Sequence, residues 1–580
     1  MKRLKTALIL TMLLLVPVYA MSAELGYMRI SLMEGDVQIN TPEAGDWGLA
    51  SVNGPLQEGD QVWVPQGGRV ELQLNTGTFI RLDEESAFQV LSVDKDSSQF
   101  YLSQGRAYVY YEAAGGSVIQ VDTPDASTRA FDRAIFRIDI PGQYTDAAVY
   151  KGYVETENEV GNKRINAGEM LSLGRDTDGE VAPMGPADEW EKWNKARNDR
   201  VFARKGESSR YLPHELSAYS YDFDNSGRWV QVPDYGYVWT PTVVVGASWS
   251  PYRGGRWIWR GGDYVWVAYE PWGWAPYHYG RWSFVARLGW CWIPPVRGEV
   301  YWGPGYVGWV RTADYVAWVP LAPGELYYGR GYYGRHSVNI TTININKVRI
   351  TNVYKNVYVN NGVTVVNRKT FASASPKIVR VNQNIIQQKI FAKSNITVGT
   401  PSIKPTKASY FAVPKRVPQA KLPPKTVTSL QVKALKQARP FVKAPDKSVL
   451  NPGEKPKTLP VNTITTPRTP GKRKPIIKQL RPAERNAVMP EREPAPKGER
   501  PFVKPEKKVV TPEERPAPKV ERPFVKPEKK VVTPEERPAP KVERPFVKPE
   551  RKAVKPEGEK KPAEEPQKGQ KKQKTEEPEQ

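Results

Sequence analysis

Cysteine occurs once in the 580 residues, at Cys291, and histidine three times, at His214, His278 and His336. No intramolecular disulfide can form, so the fold must rest on burial alone. Residues so few and so spaced offer no metal-ligand set and no HExxH. The sequence also has no Gly-x-Ser-x-Gly elbow. The sequence therefore assigns no catalytic, metal or cofactor residues, and no cofactor is expected. Set between Trp290 and Trp292, Cys291 reads as a packed thiol.

Long apolar runs are also scarce. The run Ala7 to Val16 is too short for a span, which needs about 20 apolar residues. With Lys2, Arg3 and Lys5 before it and Ala20 or Ala23 after it, the segment 1–23 reads as an export signal. The absence of a cysteine at that point argues against a lipid anchor. The mature chain is expected to be periplasmic or secreted to the cell envelope, which separates it from nucleic acid.

Tryptophan is missing from residues 401–580, whereas 14 of the 18 tryptophans lie between Trp229 and Trp318. Those last residues hold 45 Lys+Arg, 22 Asp+Glu and 34 of the 54 prolines, leaving 41 basic and 40 acidic residues before them. Nearly all of the net +24 thus belongs to the tail. Residues 373–580 read as a disordered, basic, Pro-rich tail. It carries a 22-residue repeat, "ERPFVKPEKKVVTPEERPAPKV", beginning at Glu499, Glu521 and, in part, Glu543, with "ARPFVKAPDK" at Ala438 as a degenerate copy. A spacer with weak electrostatic attraction to an anionic polymer or membrane surface is the expectation for it.

From residue 24 to 175 the chain alternates like half-buried strands: Val70, Leu72 and Leu74 share one face, and Phe136, Ile138 and Ile140 oppose Arg137 and Asp139. Turn signals such as "EGD", "NTG" and "AAGG" break these runs. Asp83, Glu84 and Glu85 read as a solvated turn, because neighbours on a strand face opposite ways. The ordered series "PLQEGDQVWVPQGGRVELQLNTGTFIRLDEES", "LSQGRAYVY", "VDTPDAS", "VYKGYVETE" and "INAGEMLSL" resembles a FecR-type domain. That resemblance implies a β-sandwich or β-roll. Where many relatives have Gly-Thr-Phe, this chain has "RAFDRAIFRIDI". The best-known members pass an iron-uptake signal through a membrane span to an anti-sigma segment. No such span or segment is read here, so that role is not carried over.

Residues 187–206 read as a helical connector, with Trp190 and Trp193 docking it on a β region. Residues 212–333 then repeat: "GRW" begins at Gly227, Gly255 and Gly280, and tryptophans follow each GRW at Trp239, Trp266 and Trp292. The spacing predicts tandem hairpins with one large aromatic per strand, and Arg228, Arg256 and Arg281 stacked on rings. The blocks "WSPYRGGRWIW", "PWGWAPYHYGRW", "GWCWIPP", "VYWGPGYVGW" and "VAWVPLAPGE" resemble an uncharacterised bacterial domain that commonly follows a FecR-type domain. Residues 336–371, rich in Asn and Val, predict a hairpin turning at Asn361-Gly362.

Mainly β architecture is therefore expected: a FecR-like domain, an aromatic β-hairpin repeat domain, a short helical connector and the tail. The unrepeated part of "PWGWAPYHYGRW" supplies the candidate binding surface, Trp272, Trp274, Tyr277, His278 and Tyr279, with His278 read as a hydrogen-bonded structural histidine. The expected function is non-enzymatic binding or scaffolding at the envelope, with an envelope polysaccharide, peptidoglycan or a protein as partner. The alternatives are a self-assembling scaffold and a carboxylate-based hydrolase.

Overall fold

The structure is a computed structural model that describes residues 25–94, 97–113, 116–202, 206–242, 249–344, 354–379, 397–428 and 430–442. The expected export signal and the tail repeats lie outside these residues.

The first region is built from two sheets that share one strand. One sheet runs Pro55–Leu56, Met28–Glu34, Arg69–Leu74, Phe79–Leu82, the second half of Ser97–Tyr111, Ala134–Ile140, Thr145–Lys151, Glu169–Leu173 and Val181–Pro183. The other runs Trp47–Leu49, Gln38–Asn40, Gln61–Val64, Ser86–Val93, the first half of Ser97–Tyr111, Val118–Asp122, Ser127–Ala130, Tyr153–Glu157 and Asn162–Asn166. The shared strand changes sheet at Gly105, where φ is +87° and a Cβ would come 2.5 Å from Ser86 Cα. Only glycine fits that corner without strain. Alternate apolar residues of both sheets, among them Leu72, Val109, Phe136, Phe88, Phe100 and Val154, meet in one core. The strands extend to Pro183, beyond the expected limit at 175.

The polar faces are not all solvated. Glu71 is fully buried beneath the connector helix, Glu189–Phe202. Its carboxylate accepts from Arg81 Nε at 2.8 Å and from Arg197 Nε and Nη2 at 2.9 and 2.7 Å. Burial pushes this carboxyl up, but the two guanidiniums outweigh it and leave the pKa at about 2. Trp190 and Trp193 stack 5.1 Å apart, with Arg69 over both rings, so the expected docking is present. Asp83 lies in ion pairs with Arg69 and Arg106, while Glu84 and Glu85 are exposed.

The aromatic region contains four hairpins of one pattern. Gly227–Val232 pairs with Gly236–Pro241, Gly255–Arg260 with Asp263–Ala268, Arg281–Val285 with Gly289–Ile293, and Val307–Arg311 with Tyr315–Pro320. Each places two tryptophans directly opposite: Trp229 and Trp239, Trp257 and Trp266, Trp282 and Trp292, Trp309 and Trp318. The fourth hairpin escaped the sequence reading because it opens with "VGW" in place of "GRW". Of the 14 tryptophans here, ten are buried and Trp229, Trp249, Trp259 and Trp302 are half-buried. They form one core, since aliphatic side chains alone could not fill it; each ring removes about 150–250 Å² from water.

Two expectations need correction downstream. The hairpin expected to turn at Asn361-Gly362 is absent from the described residues: Lys355–Tyr358 is a 3-10 turn, and Thr364–Asn367 pairs with Tyr315–Pro320 instead. The reason is Asn356, whose buried amide donates to Trp282 O and Pro320 O at 2.8 Å each and draws this stretch onto the third and fourth hairpins. Asn361 does turn, with φ of 60°. Nor does the tail begin at 373. Thr397–Val398 joins Val307–Arg311, and 407–442 runs back over the FecR-like sheet, with Phe411 on Gly48 and Val427 buried near Trp63. Its prolines and lysines solvate only part of a chain whose apolar residues find this sheet.

Candidate functional site

All five residues proposed as a binding surface are buried. Trp274 and Tyr277 are fully buried, His278 is 1 % exposed, and Trp272 and Tyr279 are 4 % and 6 % exposed. The correction has a physical cause: "PWGWAPYHYGRW" forms a short helix, Trp274–His278, between the second and third hairpins, where rings close the core on every side. Trp272 meets Trp239 and Trp282, and Tyr277 meets Tyr252 and Trp266. Tyr252 is held at φ 60°, a costly conformation for a bulky residue. Its hydroxyl donates to Tyr277 O at 2.7 Å and accepts from Tyr306 N at 2.9 Å, which fixes it there.

His278 nevertheless positions a surface. Its Nδ1 lies 2.7 Å from Gly303 O, while Gly303 N donates to His278 O at 2.9 Å. The ring nitrogen therefore carries the proton in that bond. Burial drives the imidazole pKa down to about 4, so the ring is neutral. Trp302 stacks on it at 5.1 Å. Gly26, at φ +107°, lies so close beneath Trp302 that a Cβ would meet the indole at 2.5 Å.

Above this pair opens a cleft of about 490 Å³ lined by Tyr27, Glu215, Asp263, Tyr301, Trp302 and Tyr332, among others. Tyr332 is 68 % exposed and Tyr301 38 %, with their rings edge to face at 5.7 Å. The Trp302 indole nitrogen has no partner. A second cavity of about 260 Å³ adjoins it, shares Tyr301 and Tyr333, and adds Arg281, Glu299 and Arg335. Arg281 stacks on Tyr306 at 4.0 Å, as the sequence led one to expect. Arg256 instead donates to the carbonyls of Ser373, Ala374 and Ala408, and Arg228 is exposed.

The carboxylates of the cleft are engaged. Asp263 accepts from Tyr264 N at 2.8 Å and faces Arg330 at 3.6 Å; burial lifts its pKa to about 6. Glu215 accepts from Gly298 N at 3.1 Å. Arg260, 1 % exposed, is held by Glu43 and by Asp60 of the "EGD" turn, which pins the aromatic region to the FecR-like one. Cys291 is buried, its thiol pushed up to about 11. Tyr332, missed in the sequence, had a signal: "YYGRGYYGRH", Tyr327 to His336, is rich in Tyr and Gly yet lies outside the tryptophan repeat.

Two sheets with a common strand, followed by a tryptophan-cored hairpin array, define a β protein of two fused modules. The chain carries a FecR domain and, after it, a second domain of a recognised family: residues 60–155 match the FecR protein family, and residues 220–325 match a family of unknown function, DUF6600. Two crystal structures provisionally assigned as anti-sigma factors from Parabacteroides distasonis are similar. The one at 2.50 Å is 16% identical over 26% of this chain and 68% of that one, with a TM-score of 0.20. The other, at 1.65 Å, is 15% identical over 36% of this chain and 98% of that one, with a TM-score of 0.20. Likeness of that degree carries no conclusion about function. No curated protein matches. Among the described residues, no helix is long and apolar enough to cross a membrane.

Proposed function

We propose that this chain is an exported, non-enzymatic envelope protein that holds a glycan or peptidoglycan strand in the Tyr301–Tyr332 cleft. The supporting observation is the pair of exposed tyrosines, edge to face over a floor of Trp302 and lining one cleft, in a region where ten of the 14 tryptophans are buried. Flat ring faces pack against the C–H faces of sugars, while the phenol hydroxyls serve sugar hydroxyls. The adjoining cavity extends the cleft in the way a polymer needs. The basic segment beyond residue 401 adds attraction to anionic envelope polymers, screened by salt.

Pull-down of the full chain with purified peptidoglycan and envelope polysaccharide tests this. Retention of the wild-type chain, lost in Tyr301→Ala/Tyr332→Ala with its circular dichroism unchanged, is the expected result. Failure of the wild-type chain to be retained by either polymer overturns it. Clearing of those polymers in a zymogram would favour a hydrolase using Asp263 or Glu215 instead.

A further inference from the structure

The strap 407–442 is read by side chains of the FecR-like sheet. Trp63 Nε1 donates to Lys421 O at 3.1 Å and Gln61 Nε2 to Leu430 O at 3.2 Å. The densest contacts come at its end, over Arg439-Pro440-Phe441-Val442. Gln99 and Gln120 are direct partners on the parallel strands Ser97–Tyr111 and Val118–Asp122. Buried Asp122 accepts one amide hydrogen from each, at 2.7 and 2.8 Å, and so orients both. Gln99 then donates to Arg439 O at 2.6 Å; Gln120 donates to Pro440 O at 3.4 Å and accepts from Val442 N at 3.2 Å. Proline brings no N–H that would need a partner at the middle position.

Arg439 is the anchor, 5 % exposed. Its Nη2 donates to the carbonyls of Thr123 and Pro124 at 3.2 and 2.6 Å, in the Thr-Pro turn of "VDTPDAS". Asp122 and Asp125 supply negative charge around it. A buried planar guanidinium donating to two carbonyls of one turn, where the charges of Asp122 and Asp125 favour it and Arg175 opposes it, is a built site for arginine.

The same four residues recur in the chain. Arg439-Pro440-Phe441-Val442 reappears as Arg500-Pro501-Phe502-Val503, Arg522-Pro523-Phe524-Val525 and Arg544-Pro545-Phe546-Val547. One chain thus offers one site and four copies of its ligand, so copies are always left over for other chains. We propose that the Gln99–Gln120–Thr123 site is a docking site for the Arg-Pro-Phe-Val motif, and that the tail repeats of a second copy of this chain fill it. The attached 439–442 segment competes for the site at high effective concentration and holds association in check.

The test uses full-length protein and a labelled peptide with the sequence of residues 499–508. Fluorescence anisotropy should show the peptide binding Arg439→Ala/Arg500→Ala/Arg522→Ala/Arg544→Ala about tenfold or more tightly than Arg500→Ala/Arg522→Ala/Arg544→Ala, because the last attached competitor is then gone. A peptide with alanine for its arginine should not bind. In sedimentation velocity, Arg500→Ala/Arg522→Ala/Arg544→Ala should lower the concentration-dependent association of the wild-type chain. Equal binding of the two peptides, no binding to a quadruple variant that circular dichroism shows to be folded, or unchanged association of the triple variant each overturns the proposal. Should the quadruple variant fail to fold, the triple variant decides alone, since it alters no residue of the site or strap.

Discussion

Trp309→Ala probes the hairpin that the GRW pattern does not reveal. Trp309 is 1 % exposed and lies 4.4 Å from Trp257 and 5.6 Å from Trp318 between ring centroids. Its indole nitrogen has no partner, so truncation breaks no hydrogen bond. Burial of one indole, about 150–250 Å², is worth about 4–6 kcal/mol at ~25 cal/mol per Å². That is an upper bound, because an unfolded chain already hides part of the ring. Trp→Ala in cores typically costs about 3–5 kcal/mol, and a cross-strand pair alone accounts for only about 0.2–1 kcal/mol. Burial therefore dominates, and a loss of about 4 kcal/mol is expected. Urea unfolding followed by near-ultraviolet circular dichroism measures it, with Tyr332→Ala, at 68 % exposure, as a control that should change stability by less than about 0.5 kcal/mol. A Trp309→Ala loss below about 1 kcal/mol, similar to the control, would refute the buried-ring reasoning.

Glu71→Ala strands Arg81 and Arg197 in a buried site and should cost about 3–5 kcal/mol; urea midpoints check it, and a cost no larger than that of an exposed pair contradicts it. For His278, the folded pKa of about 4 lies below the usual 6.5. Its contribution is fully present above pH 6.5 and is lost as pH falls toward 4, reaching about 3 kcal/mol from ~2.5 units at 1.36 kcal/mol each. Asp60 and Asp263, both raised to about 6 by burial, act oppositely, favouring the fold as pH falls from 6 toward their unfolded values near 3.8. The difference in stability between wild type and His278→Asn isolates the histidine: it should change between pH 6.5 and 4 and be flat above, and a flat difference throughout would show a solvated ring.

Period-two alternation at Val70, Leu72 and Leu74 and the even tryptophan spacing were legible because they report local backbone geometry. The helix with Trp190 was legible for the same reason. What lay hidden depends on contacts far apart in sequence. Glu71 and Gln73 look like solvent-facing residues until Arg197 and Ala218 O are brought to them. The candidate surface around His278 failed because local aromatic density cannot distinguish a core from a platform. Tyr332 sits in a stretch whose Tyr and Gly content marks it but whose spacing does not tell an exposed ring from a buried one. Residues 407–442 read as tail by composition, yet a few apolar side chains and a row of glutamines on a distant sheet give them a place.

Hydroxyl-radical footprinting of the full chain, read by mass spectrometry, tests most directly whether the tryptophans face inward while Tyr301 and Tyr332 face outward. Peptides with Tyr301 and Tyr332 should be oxidised rapidly, and Trp272, Trp274, Tyr277, Trp282 and Trp309 should be protected until the protein is unfolded. Oxidation of Trp272, Trp274 and Tyr277 in the folded chain at the rate of Tyr332 would contradict the account.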